Sequence, residues 1–310
     1  MPVENSSSEH PDTVMDVATN GITLSVRVAG SGPAVVLAHG FPEIGYSWRH
    51  QVPALVAAGY RVIVPDMRGY GKSDRPQEVD SYSAANVGKD LIGVLDSLGE
   101  QQAVFVGHDW GAGIVWPLAL SHPDRVQAIA GLSVPFGPPA PVAPTQIMRK
   151  RLGDSFYMIQ FQQQGPPEEN LARDVRATMT AMMASISSAV DGRFESAELP
   201  SWLSPRELDV YVQSFERTGF GGGLNYYRNI DRNWEQSVAL LGKTADVPAF
   251  FLTGSLDPVR SFMPSDRIGE IFTNYQGTIL IEGAGHWVQQ ERAEEVNDAL
   301  ISFLTSLGND

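Results

Sequence analysis

The first half of the chain alternates short apolar runs with stretches whose apolar residues recur at helical spacing. Ala34–Ala38 (AVVLA), Arg61–Val64 (RVIV), Ala103–Val106 (AVFV) and Val126–Ala130 are too short for helices and almost wholly apolar. They predict strands buried on both faces of a sheet. Between them, Tyr46–Ala58, Ala84–Leu98 and Trp110–Leu120 carry the 3.6-residue period of helices that each bury one face. Strands alternating with helices imply right-handed crossovers and a mostly parallel sheet. Thr13–Ala18 and Thr23–Val28 flank Asn20-Gly21, a pair that turns tightly, and predict an antiparallel hairpin at the sheet edge.

After Ser133 the pattern changes. Val134–Thr145 holds five prolines and can be neither a regular helix nor a central strand. About a hundred residues of helical character follow, including Leu171–Val190. Another helix opens at Ser204-Pro205-Arg206-Glu207, where Ser204 and Glu207 suit a capping box and Pro205 the first helical position. Near Pro248 the α/β pattern resumes, with strands at Ala249–Thr253 and Thr278–Ile281 and a closing helix at Val288–Leu307. The expected organisation is an α/β core, 1–137 and 241–310, interrupted by a helical cap at 138–240.

Composition removes several classes of function. The chain has 310 residues, 43% of them hydrophobic, with no internal repeat and no low-complexity segment beyond the short N-terminal tail and the glycines at 219–223, so it can bury a large core. Its 36 acidic and 22 basic side chains leave a formal charge of −14, which disfavours nucleic acid and anionic membranes as partners. There is no cysteine, so disulfides, thiolate metal sites and a cysteine nucleophile are excluded. The six histidines show no metal-ligand spacing. Met1–Val17 is acidic and serine-rich, without a basic stretch followed by an apolar run, and no window is long and apolar enough to span a bilayer. The expectation is a cytoplasmic protein with neither metal nor cofactor.

The candidate chemistry begins at Val106-Gly107-His108-Asp109-Trp110-Gly111, where an apolar strand meets a helix. Glycines two before and two after a central residue allow the sharp strand–turn–helix of a nucleophile elbow, here with Asp109 in place of Ser. Read alone, Asp109 fits equally well as an ordinary helix N-cap. Such a nucleophile needs an acid and then a base later in the chain. Asp257 follows one late strand in Gly254-Ser255-Leu256-Asp257-Pro258. His286 follows the next in Gly283-Ala284-Gly285-His286-Trp287. Their order and placement together favour catalysis. Upstream, His39-Gly40-Phe41-Pro42-Glu43 follows a strand, so the Phe41 and Trp110 backbone N–H groups are the expected oxyanion hole. Phe41-Pro42 is a candidate cis peptide, and His39, Glu43 and His108 read as hydrogen-bonded scaffold. Gly71-Lys72-Ser73 imitates the end of a phosphate-binding loop, but that motif's first glycine would fall on Asp66.

These residues give the chain a resemblance to the epoxide hydrolases of the α/β-hydrolase fold. It is carried by His39–Glu43 (HGFPE), Asp66–Ser73 (DMRGYGKS), Gly107–Gly111 (GHDWG) and the Asp257 and His286 loops. It extends into the helical insert: Phe156–Gln162 resembles the family's first lid-tyrosine motif and Gly223–Asn229 its second. The second usually reads N-W-Y, so Tyr226 replaces a Trp. The resemblance implies hydrolysis of an epoxide to a vicinal diol. Asp109 would form an alkyl ester, Tyr157 and Tyr227 would protonate the epoxide oxygen, and His286 with Asp257 would activate water. Without the motifs, sequence chemistry favours aromatic packing within a helical lid for both tyrosines, and the flanking motif residues reverse that. Phe41, Trp110, Phe161 and Trp287 would wall an apolar substrate pocket, and Trp287 suits core packing as well.

Three rival readings share the fold. A haloalkane dehalogenase also uses an Asp–His–acid set, but it resembles H-G-N-P or a Trp-containing variant where this chain has Phe41, whose side chain cannot donate to a halide. A haloacid dehalogenase would want Arg at position 110. A non-enzymatic small-ligand-binding module would be expected to show a broken set of three. A small-molecule epoxide and water are the expected partners, and the aromatic-rich cap could serve a homodimer.

Overall fold

Alternate residues of the central strands point to opposite sides of a single sheet, and both sides are apolar. In the computed structural model, which describes residues 12–184 and 198–308, Val36, Ile63, Phe105, Ile129 and Phe251 face one buried cluster. Their neighbours Val35, Val62, Val104, Ala130 and Leu252 face a second, on the other side. This is the burial expected of a sheet covered by helices on both faces.

The sheet has eight strands in the order β1-β2-β4-β3-β5-β6-β7-β8. They are β1 (Asp12–Thr19), β2 (Ile22–Ala29), β3 (Ala34–Ala38), β4 (Arg61–Pro65), β5 (Ala103–His108), β6 (Val126–Leu132), β7 (Ala249–Gly254) and β8 (Tyr275–Ile281). Only the β1–β2 and β2–β4 pairings are antiparallel; β4, β3, β5, β6, β7 and β8 run parallel. The hairpin turns at Asn20 and Gly21, both at positive φ. Asp109, Asp257 and His286 follow the C-terminal ends of β5, β7 and β8, on the edge where open parallel sheets bind ligands.

The helices of the core are α1 (Gln51–Ala57), α2 (Ala84–Leu98), α3 (Trp110–Val115) and α4 (Leu118–Ser121). Between β6 and β7 lie α5 (Pro144–Leu152), α6 (Tyr157–Gln160), α7 (Pro166–Ala172), α8 (Val175–Ala184), α9 (Pro205–Thr218), α10 (Gly221–Arg228) and α11 (Ile230–Val238). After β8 come α12 (Val288–Glu291) and α13 (Ala293–Ser306). Of the expected helix Leu171–Val190, residues 185–190 lie outside the described residues, as do 1–11 of the N-terminal segment. The capping box at α9 is formed as read, with Glu207 N–H donating to Ser204 Oγ and Ser204 N–H to Glu207 Oε2.

Four expected helices are interrupted. Leu171–Val190 begins inside α7 and breaks at Arg173-Asp174, where Asp174 Oδ1 accepts Ala177 N–H at the start of α8. Tyr46–Ala58 divides into a 3-10 turn at Gly45–Trp48 and α1, because Pro53 has no N–H to give the carbonyl of Arg49. Trp110–Leu120 divides at Trp116-Pro117 for the same reason, leaving α3 and α4. Val288–Leu307 breaks at Arg292, which leaves the helical conformation at φ −133° and ψ 55°. There the Glu291 carboxylate turns back to accept from the Gly285 and Trp287 amides. No described helix is long and apolar enough to cross a membrane.

Candidate active site

Asp109 occupies the tip of the strand–turn–helix between β5 and α3, at φ 53° and ψ −120°. That left-handed backbone is costly for a residue with a Cβ, and the surrounding glycines make it attainable. A Cβ on Gly107 would stand 2.4 Å from the Gly111 carbonyl oxygen, and one on Gly111 would stand 2.0 Å from that of Ala38. The turn closes only because neither exists. On the facing loop a Cβ at Gly40 would meet Asp109 Oδ1 at 2.2 Å, so a third glycine lets the HGFPE backbone reach the carboxylate.

The two oxygens of Asp109 have different surroundings. Oδ1 accepts the backbone N–H of Phe41 at 2.8 Å. Oδ2 lies 3.5 Å from His286 Nε2, an atom that is buried and without a hydrogen-bond partner. His286 Nδ1 donates to Asp257, 3.1 Å from Oδ2 and 3.2 Å from Oδ1. Asp257 Oδ1 also accepts from Val259 N–H. All three side chains are buried, between 3% and 7% exposed.

Charge follows from this packing. Burial disfavours a charged His286, but the Asp257 carboxylate and the neighbouring Asp109 outweigh it and push the imidazole up to about 10. Burial raises Asp257 in turn, but the imidazolium and its hydrogen bonds prevail and hold it below the usual carboxylate range. As it stands, His286 carries a proton.

Tyr227, on α10, packs edge-on against Phe41 and Trp110, with ring centroids 5.5 and 5.0 Å away. Tyr157, at the start of α6, is 5.9 Å from Tyr227 by the same measure. Both phenols are pushed well above their ordinary value, first by burial and then by nearby negative charge, Asp109 included. They therefore stay neutral and keep a proton to give. Phe161 packs against Tyr157, Tyr227 and Phe41. Trp287 is buried beside His286 and donates its indole N–H to Met182 of α8. Trp110 is the first residue of α3 and lines the same aromatic cluster. The Phe41–Pro42 bond is cis.

The residues read as scaffold prove closely tied to the site. His39 accepts Met67 N–H at Nε2 and lies 2.9 Å from Gly40 O at Nδ1. His108 Nε2 donates to the carbonyl of His286, which also accepts from Ser133 Oγ. His108 Nδ1 lies 2.8 Å from Glu43 Oε2, and Glu43 Oε1 accepts from both Gln289 and Gln290. Sequence reading overlooked Ser133, Gln289 and Gln290, since an isolated Ser or Gln carries no local signal. It also overlooked Arg49 of the core, whose side chain bonds Glu207 of α9 at 2.7 Å and Gln290 at 2.6 Å.

Comparison with known proteins identifies the family of the chain. The family model of the α/β hydrolase fold matches residues 33–293. Epoxide hydrolase A of Mycobacterium tuberculosis is 49% identical over 94% of this chain and 97% of its own length. Epoxide hydrolase 1 of Siraitia grosvenorii is 40% identical over 93% and 96%. Among solved structures, epoxide hydrolase A from Mycobacterium thermoresistibile superposes with a TM-score of 0.90 at 46% identity, covering 95% of this chain and 98% of that one. An epoxide hydrolase from an endophytic Streptomyces does so with a TM-score of 0.91 at 37% identity, covering 98% of each.

Proposed function

The chain belongs to the α/β-hydrolase fold family and, within it, to the epoxide hydrolases, and we propose that it opens its substrate through a covalent ester on Asp109. The observation that carries this reading is the asymmetry of the Asp109 carboxylate. Oδ1 is held by the Phe41 amide at 2.8 Å, and Oδ2 only faces His286 Nε2, 3.5 Å away. A water activated directly by His286 would instead have Asp109 lying in its path.

The course is as follows. Asp109 Oδ2 attacks an epoxide carbon and the carbon–oxygen bond breaks. The departing oxygen takes a proton from Tyr157 or Tyr227. Forming the ester cancels the negative charge of Asp109, one of the causes that keep His286 protonated. His286 then gives up its proton, which restores the phenol, and becomes a base. Its Nε2 takes a proton from water as the oxygen attacks the ester's acyl carbon. The oxyanion develops on Oδ1, facing the Phe41 N–H and, in this reading, the Trp110 N–H. Collapse breaks the acyl–oxygen bond, the acid proton passes to the departing alkoxide, and the vicinal diol leaves behind Asp109 carboxylate and protonated His286. Phe41, Trp110, Phe161 and Trp287 form the apolar wall, and the helices from 138 to 240 serve as a lid carrying both phenols.

The phenols are tested by replacing Tyr157 and Tyr227 together with Phe and following single turnovers of styrene oxide. Ester formation should fall about 10²–10⁴-fold, the usual worth of a general acid. Opening at the wild-type rate would reduce both residues to packing.

A further inference from the structure

The Asp66–Ser73 segment (DMRGYGKS) supplies none of the reacting groups, yet it is fastened from several sides. Asp66 accepts the Gly45 and Lys72 amides, and Met67 N–H donates to His39 of the HGFPE loop. Gly69 N–H donates to Asp74 O, and Tyr70 N–H to Met67 O. Arg68 is locked by a buried two-point ion pair with Asp90 of α2, at 2.6 and 2.8 Å. The loop is therefore rigid and in register with the loop that holds Asp109.

Against it rests the first turn of α10, the helix that carries Tyr227. The contact is backbone on backbone: a Cβ on Gly222 would stand 2.5 Å from the Gly69 carbonyl oxygen and 2.8 Å from its Cα. Gly69 itself has φ +91°, and a Cβ there would meet Gly222 Cα at 3.0 Å. Further along, the Tyr226 hydroxyl donates to Arg68 O at 2.9 Å, and Arg217 of α9 donates to Gly71 O at 3.1 Å. Gly223 and Tyr227 share one face of α10, four residues apart. A Cβ on Gly223 would meet Phe41 Cδ2 at 2.5 Å, and Phe41 is the ring against which Tyr227 stands.

We propose that the Met67–Ser73 loop is the seat of α10, and that the Gly69–Gly222 contact together with the Tyr226–Arg68 hydrogen bond sets where the Tyr227 hydroxyl stands over the substrate. Gly222 and Tyr226 are thus positioning residues for epoxide opening. An eight-residue helix moves as a body, so a Cβ that lifts its first turn displaces the phenol one turn later. Ester hydrolysis relies on His286 and Asp257, which sit on core loops, and is untouched by such a shift. The proposal rests on Tyr227 acting as a proton donor.

Gly221 provides a matched control, because a Cβ there finds nothing nearer than Glu168 Cγ at 3.8 Å. The experiment measures ester formation and ester hydrolysis separately, in single turnovers of styrene oxide, for Gly222→Ala, Gly221→Ala, Tyr226→Phe and Tyr227→Phe. Gly222→Ala should slow ester formation about 10–100-fold, the range expected of a misplacement near 1 Å, and leave hydrolysis as in Gly221→Ala. Tyr226→Phe should slow the same step by a smaller factor, and it decides the matter alone if Gly222→Ala does not fold. Ester formation in Gly222→Ala and Tyr226→Phe equal to that of Gly221→Ala would overturn the seat, as would an equal loss in both steps. Unchanged ester formation in Tyr227→Phe would instead overturn the proton donor on which the proposal stands.

Discussion

Replacing His286 with Gln should stop the reaction half-way, with the protein heavier by the mass of one intact epoxide and that first equivalent held as the ester rather than released as diol. His286 Nε2 is the ring nitrogen beside Asp109, and Nδ1 is already committed to Asp257. Gln can occupy much of the same space but cannot take a proton from water, so the hydrolytic step loses its base while the attack by Asp109 does not. General-base removal typically costs about 10²–10⁴-fold, enough for the ester to accumulate. The wild-type hydrolytic step should rise with pH as His286 of the ester loses its proton. That midpoint should lie below the value of about 10 that the imidazole has beside two carboxylates. A variant that turned over with no trapped ester would leave His286 without this role.

Replacing Asp109 with Ala should have the larger effect on turnover. It removes the nucleophile and the group held by the Phe41 amide, so no ester can form and the oxyanion donor has nothing to stabilise. Losing a nucleophile that works as a unit with its base commonly costs about 10⁴–10⁶-fold. Diol formation should fall to the background of the uncatalysed reaction. The fold should survive, because an Ala there keeps the backbone of the elbow while removing only a side chain. Circular dichroism and thermal unfolding check that separately from activity.

The elements that local pattern governs were legible in the chain. The wholly apolar runs at 34–38 and 103–106 predicted central strands, and the Asn20-Gly21 turn predicted the edge hairpin, because one face or both must be buried whatever surrounds them. Gly107 and Gly111 announced a tight turn around Asp109, since few other contexts demand glycine on both sides of an acidic residue. Less legible were the helix breaks. Pro53 and Pro117 each sit inside an apolar period, and the period concealed the missing donor. Least legible were effects of tertiary approach. Glu43 lies 65 positions before His108 and 246 before Gln289, and no spacing rule links them. The Gly69–Gly222 contact is of the same kind: each glycine reads locally as a loop or helix-start residue, and only their meeting explains both.

The central claim is that the oxygen added to the substrate comes from Asp109 and that water replaces it there. A single turnover of styrene oxide with excess enzyme in ¹⁸O-labelled water tests it most directly. The account predicts an unlabelled diol and a gain of one ¹⁸O in the peptide that contains Asp109. Label in the diol of that first turnover, with the Asp109 peptide unchanged, would show that water attacks the epoxide itself and would contradict the ester.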